Sequence, residues 1–410
     1  MTQAAHGDSL RRGITLLAIS NAGSAVLSFG LSALIGRGLG PNGFGAYATA
    51  LAWVYPLSLT AEFGLGTLLT RDAAQNRPLE GIYLRHMTQA RLLMGGGLML
   101  ALIVLAPLLS ADANVIAGLR LSAPLILILP LFGQYTAIFR AQQAMWPIPP
   151  LNLGMLAAQI ALTVLAFALG GGLPAAFAVN TLTSAGQVVA AWWLWRRRFP
   201  PPVPPPDSTI TLVGLLRLAW PFAAAALLAA VQARMGAVLL ERLTDTVQAG
   251  WYAAAGRFVE AARVLPNAAF GAILPRLSAL NTQNSQRLFL RTAALITGYA
   301  LLAALVGNAL AAPIISLTYG AGYEASTAAL RLSLWGLLPL LLRAALTLYA
   351  YATHREGLTN AVTLGVIGVQ VALGLMWIPA QGATGAAGSL LAAEACGAAA
   401  LALLLLRGRS

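Results

Sequence analysis

Arg196-Arg197-Arg198-Phe199-Pro200-Pro201-Pro202-Val203-Pro204-Pro205-Pro206 is the stretch on which the reading of this chain turns. Proline has no backbone N–H to give and locks φ, so no helix runs through it, and the segment reads as a stiff, basic polyproline spacer. Long apolar runs lie on both sides. Before it they fall near residues 13–39, 44–70, 87–109, 116–141, 147–170 and 173–195; after it, near 212–241, 247–275, 289–312, 326–352, 358–378 and 383–406. The spacer therefore separates six runs from six, which predicts an N-terminal lobe over 1–195, a linker over 196–211 and a C-terminal lobe over 212–410.

Composition says what those runs are. The chain has 410 residues, 59% hydrophobic and 9% charged, with a mean hydropathy of +0.76, whereas a soluble domain carries roughly 25% charge. A bilayer satisfies no backbone polar group, so a spanning segment must be a helix of about 20 apolar residues or part of a closed barrel. The period-two alternation of a barrel is missing, which predicts an all-α polytopic membrane protein of about twelve transmembrane helices. Arg11 and Arg12 precede a run too long for a signal core, so the first helix is expected to stay. The lone cysteine, Cys396, leaves no disulfide framework. His6, His86 and His354 are scattered outside the runs, so neither a metal site nor a histidine triad is expected. Gly95-Gly96-Gly97 and Gly170-Gly171-Gly172 lack the strand and the Gly-Lys-Ser/Thr of a nucleotide loop, and no cofactor is expected. A net charge of +13 in so apolar a chain points to membrane lipids as partners and away from nucleic acid.

Arginine, the only strongly basic residue type present, sets the orientation. With a cytoplasmic N-terminus the inner flanks hold Arg11, Arg12, Arg71, Arg77, Arg85, Arg91, Arg196, Arg197, Arg198, Arg276, Arg287, Arg291, Arg355, Arg407 and Arg409. The outer ends hold only Arg37, Arg120, Arg242 and Arg331. This asymmetry satisfies the positive-inside rule, with both termini cytoplasmic in a bacterial inner membrane.

The halves also repeat. A shift of 205 residues superposes Arg12 on Arg217, Arg37 on Arg242, Gly45-Ala-Tyr47 on Gly250-Trp-Tyr252, Gly66 on Gly271, Arg71 on Arg276 and Asn76 on Asn281; a shift of 211 superposes Arg120-Leu-Ser122 on Arg331-Leu-Ser333 and Gln159 on Gln370. Matches at Arg, Tyr and Asn in one register carry the argument. Repeats of six helices share one orientation, which predicts two pseudo-symmetric six-helix bundles around a central cavity.

The segment Arg37-Gly-Leu-Gly-Pro-Asn-Gly-Phe-Gly-Ala-Tyr47, with Phe63-Gly-Leu-Gly66 and Leu69-Thr-Arg71, resembles the polysaccharide and O-antigen flippase family of the multidrug/oligosaccharidyl-lipid/polysaccharide exporter superfamily. Leu240-Glu-Arg242, Gly250-Trp-Tyr252 and Leu274-Pro-Arg276 echo the pattern in the second half. The resemblance implies a transporter that moves a polyprenyl-pyrophosphate-linked oligosaccharide outward by alternating access, in company with glycan-assembly enzymes. Many relatives carry an acid at the place held here by Gly236, which puts coupling through that acid in doubt. The extra C-terminal helix pair of the lipid II flippases is not expected.

Charges inside the spans are the candidate site residues. Arg257, Glu260 and Arg263 recur every third residue on one face of the eighth helix. The arginines there could bind a diphosphate while Glu260 tunes them or takes a proton, or the three could be an internal salt bridge. Arg234 and Arg343 are further substrate-binding candidates, each open to pairing with an acid instead. Glu62 and Glu394 have no basic neighbour at helical spacing and could be ion- or proton-coupling acids, or acids satisfied by a facing arginine. Arg37, Arg242, Arg71 and Arg276, paired by the repeat at helix ends, suit gating or anchoring. Arg140 suits interfacial snorkelling, and Asn21, Gln159, Asn180, Gln187 and Gln370 suit packing.

Two alternatives remain open at this point. A multidrug or organic-cation antiporter of the same superfamily would want acids in its lumen. A membrane glycosyltransferase or polymerase would want a carboxylate pair near a large outer loop, and Asp112, Glu241, Asp245 and Glu324 make no such pair.

Overall fold

The computed structural model describes residues 2–199, 211–279, 282–353 and 355–407. They form helices α1 (Thr2–Glu62), α2 (Leu65–Gln75), α3 (Glu80–Ala90), α4 (Gly96–Leu109), α5 (Ala113–Ser122), α6 (Leu125–Ala141), α7 (Ile148–Ala168), α8 (Leu173–Arg198), α9 (Leu212–Leu243), α10 (Thr246–Ala262), α11 (Val264–Ala279), α12 (Thr282–Tyr319), α13 (Ser326–Ala352), α14 (Glu356–Gln381) and α15 (Ala383–Arg407), and the described residues contain no strand. Nine stretches among them are long and apolar enough to cross a membrane. One, Ile19–Gln75, holds two crossings joined at Gly40, whose φ of 67° reverses the chain where a side chain would be strained. Adding α8 and the α10–α11 pair, which have the length but are more polar, gives the twelve crossings expected. The linker residues 200–210 and His354 lie outside the described residues, as do the side chains of Arg11, Arg12 and Arg276.

Several crossings are broken where charge enters them. The second crossing interrupts at Phe63 (φ 51°) and Gly64 (φ 67°), directly after Glu62. In the third, a π-helical segment, Arg91–Gly95, joins α3 to α4. The eighth turns at Arg263, between α10 and α11.

The chain packs as two compact units. Unit 1 comprises residues 1–38 and 50–231, unit 2 residues 39–49 and 232–410. In unit 1, Leu65, Leu68, Met87, Ile138 and Phe139 form a core against Leu215 and Ala219 at the start of α9. At Gly64 a Cβ would stand 2.8–3.1 Å from Ala219, Phe222 and Ala223, so only glycine lets α9 come this close. In unit 2, α13 packs between α12 and α15, with Leu337, Leu341 and Ala345 against Phe270 and Ile296.

Unit 2 also contains the repeat at atomic scale. A Cβ on Gly45 would lie 1.7 Å from the Thr246 carbonyl oxygen, and one on Gly250 would lie 2.0 Å from that of Pro41. Pro41 and Thr246 are themselves 205 residues apart, as are the two glycines. The two segments therefore meet about a local two-fold, backbone to backbone, and Thr246 Oγ1 donates to Asn42 Oδ1 beside the crossing. The packing units cut across the lobes read from the repeat, because residues 39–49 pack with the second lobe and the start of α9 with the first.

Candidate functional site

Unit 2 gathers six of the seven candidate charged residues from the spans. On α10, Arg257 Nη1 donates to Glu260 Oε2 at 2.8 Å, one helical turn on. Arg234 reaches the other carboxylate oxygen from α9, with Nη1 3.8 Å from Glu260 Oε1. Glu260 is thus flanked by two guanidiniums and is still 47% exposed. Arg263, at the break after α10, lies within the fields of both Glu260 and Glu394, and its Nε is buried with no hydrogen-bond partner.

A second, closed network lies beside these. Arg343 of α13 grips Glu394 of α15 bidentately, Nε to Oε2 at 2.6 Å and Nη2 to Oε1 at 2.8 Å. Gln232 of α9 completes it, donating to Glu394 Oε1 at 2.7 Å and accepting from Arg343 Nη2 at 3.2 Å. Thr363 of α14 sits 3.5 Å from Arg343 Nη1. The carboxylate is only 2% exposed, so its charge is met by protein donors rather than by water. Four helices are tied by this one pair, and Arg343 spends its fork within the protein.

Glu62 lies in unit 1. Its Oε1 accepts from the Gly66 N–H at 3.2 Å, capping α2 across the Phe63–Gly64 break, and stands 3.9 Å from Arg91 Nη2. Arg91 has no exposure; Nη1 donates to Gln134 Oε1 at 3.1 Å, while Nε and Nη2 have no hydrogen-bond partner. From sequence Arg91 read as an inner-flank arginine bordering a charged stretch; its side chain is buried within unit 1. Of the helix-end arginines, Arg37 and Arg242 are exposed, and Arg71 holds Asp72 at 2.6 Å, where Tyr83 donates a 2.5 Å hydrogen bond to the other oxygen.

Gly236 also has a structural explanation. A Cβ there would meet the Tyr252 ring and hydroxyl at 2.7–2.9 Å, so the tyrosine occupies the space a side chain at 236 would need. Gln232 and Thr363 were not singled out by sequence; the only signal was a glutamine in an alanine-rich span.

The family model described as polysaccharide biosynthesis protein matches residues 10–281. The chain belongs to that family. No curated protein matches it in sequence. Among solved structures, this family member is similar to the lipid II flippase MurJ in an inward closed conformation, at a TM-score of 0.79 and 15% identity, covering 96% of this chain and 87% of that one. It is similar to a multidrug resistance MATE family transporter of the MOP superfamily in an inward-facing conformation, at 0.76 and 14%, covering 97% and 94%. It is also similar to a MOP superfamily transporter from Pyrococcus furiosus described as having a binding pocket of reversed polarity, at 0.67 and 13%, covering 97% and 96%. At these identities the likeness establishes the fold, that of the MOP superfamily.

Proposed function

We propose that this family member is a transporter, not an enzyme, that carries an anionic lipid-linked oligosaccharide outward across the bacterial inner membrane by alternating access. The carrier would be a polyprenyl pyrophosphate. The observation that carries the reading is the surplus of cation on the exposed side of the unit 2 cluster: Arg234 and Arg257 share the single carboxylate of Glu260, with Arg263 beside them. Arg343 and Glu394 cancel within their own network, so they act as the scaffold under that surface. A diphosphate would meet two or three guanidiniums able to bind it in pairs, with Glu260 holding them apart until it arrives. An organic cation would meet those same arginines first, which disfavours the drug-antiporter alternative. A lipid II flippase among the structural neighbours supports a lipid-linked substrate.

The lobes 1–195 and 212–410 would move against each other about the linker 196–211, with both termini cytoplasmic and Arg37, Arg242, Arg71 and Arg276 at the gates. Glu62, the acid beside Arg91, is the ion- or proton-coupling candidate in unit 1, and glycan-assembly enzymes are the expected partners.

The test is flipping of a fluorescent polyprenyl-pyrophosphate glycan in proteoliposomes by wild type, Arg257→Lys and Arg263→Lys. Lysine keeps the charge and loses the planar fork, so flipping should fall while expression and folding hold. Exchanging Arg257 and Glu260 should not restore it. Wild-type flipping in the lysine variants, or full recovery in the exchange, would return the cluster to a purely structural role.

A further inference from the structure

Along α8, Gly186, Ala190, Trp193 and Arg197 follow one another at spacings of four, three and four, and so share one helical face. The first two line a groove of about 410 Å³ between α7 and α8, rimmed by Leu162 and Leu182. Its walls are apolar. Gln187, at its floor, is occupied by Asn152 Oδ1 at 3.0 Å and the Leu151 carbonyl at 3.2 Å. Gly154 and Gly186 both line the groove, and a Cβ on either would meet no atom within 4 Å. Glycine inside a helix costs about 1 kcal/mol relative to alanine, so two glycines left empty here keep the groove open at the expense of the helices.

The other end of that face is cationic. The Arg197 guanidinium lies 4.4 Å above the Trp193 ring, and that of Arg196 5.4 Å above Trp192. Both indoles are partly exposed, and α8 contains no acid, so these arginines and Arg198 have no carboxylate on their own helix. Stacking holds a guanidinium in place while leaving its N–H edge free to bind an anion. From Gly186 to Arg197 the helix rises about 16 Å, close to half of a hydrocarbon core of about 30 Å. A molecule with its phosphate at Arg197 and its chain in the groove would stay within one leaflet.

We propose that the α7–α8 groove, headed by Trp193 and Arg197, is a binding site for an anionic phospholipid. The phosphate sits against the stacked guanidiniums and one acyl chain fills the slot between Gly154 and Gly186. The site stands whether or not the transport reading holds, because nothing in it uses the unit 2 arginines.

The test is native mass spectrometry of delipidated, detergent-solubilised protein given phosphatidylglycerol or phosphatidylcholine. Wild type should retain one phosphatidylglycerol in preference to phosphatidylcholine. Arg196→Gln and Arg197→Gln should each weaken retention about fivefold, the share of one arginine at an anionic membrane surface. Gly186→Leu starts from a Cβ that meets no atom within 4 Å and grows into the slot, so it should fold normally and lose the lipid. Arg287→Gln/Arg291→Gln, which removes exposed arginines elsewhere, should leave retention unchanged, as a discrete site requires and a diffuse field does not. Equal retention of the two lipids, unchanged retention in Gly186→Leu, or displacement of phosphatidylglycerol by equimolar polyprenyl phosphate would each overturn the proposal.

Discussion

Replacing Glu394 by Gln is the sharpest probe of how unit 2 is held. The substitution keeps the shape and removes the charge that Arg343 grips at 2.6 and 2.8 Å. Two unit charges about 4 Å apart attract by about 4 kcal/mol at an effective dielectric of about 20. Stranding one member of a buried pair costs about 3–5 kcal/mol. With Glu394 2% and Arg343 16% exposed, solvent offers little relief. Glu394→Gln should therefore destabilise by about 3 kcal/mol, and Arg343→Gln by a similar amount. The double variant should lose little more than either single change, giving a coupling of about 3 kcal/mol. Glu260→Gln provides the contrast. Its carboxylate is half exposed, so the change should cost less than about 1 kcal/mol. Unfolding in mixed detergent micelles, followed by tryptophan fluorescence, measures all four. Additive single effects, or a Glu394 variant no weaker than the Glu260 one, would refute the assignment of one pair to scaffold and the other to an exposed surface.

Gly45→Ala and Gly250→Ala should each destabilise by at least the 1–3 kcal/mol typical of overpacking, roughly equally, because each would drive a Cβ into a backbone carbonyl; unchanged thermal midpoints would disprove the crossing. In a Cys396→Ser background, which removes an exposed thiol, single cysteines placed at 201–206 should react with an impermeant maleimide only from the cytoplasmic side, and labelling of intact cells would reverse the orientation. Cross-linking cysteines placed near Arg37 and Arg242 should stop flipping; full-rate transport in the linked protein would exclude rocking of the lobes.

The twelve crossings were legible because each is a long apolar run, and the repeat because Arg, Tyr and Asn recur in one register. Which helix faces which was not. Glu394 has no cation at helical spacing on α15, and its partner lies 51 residues away on α13, a relation that helical spacing cannot express. Arg257 and Glu260, by contrast, are one turn apart, and their contact could be read from spacing alone. The burial of Arg91 was not legible either: a guanidinium after a charged stretch looks solvent-facing, and only the packing of Gln134 and Glu62 around it encloses the side chain. The breaks at Phe63–Gly64 and Arg263 were equally silent, since apolar periodicity runs through both.

The meeting of Gly45 with Thr246 and of Gly250 with Pro41 has a consequence for descent. In an ancestor made of two identical six-helix chains, one glycine would have stood on both sides of an isologous contact, and one substitution would have struck it twice. Fusion of two such copies would release each position to change alone. The charged residues used that freedom: the Arg257–Glu260 pair belongs to the second copy, and at the 205-residue register the first has Ala52 and Tyr55 instead. The glycines did not, because no side chain can be added at either without parting two backbones. The contact thus keeps the form of an isologous interface inside a single polypeptide, at the point where the specialised halves still match.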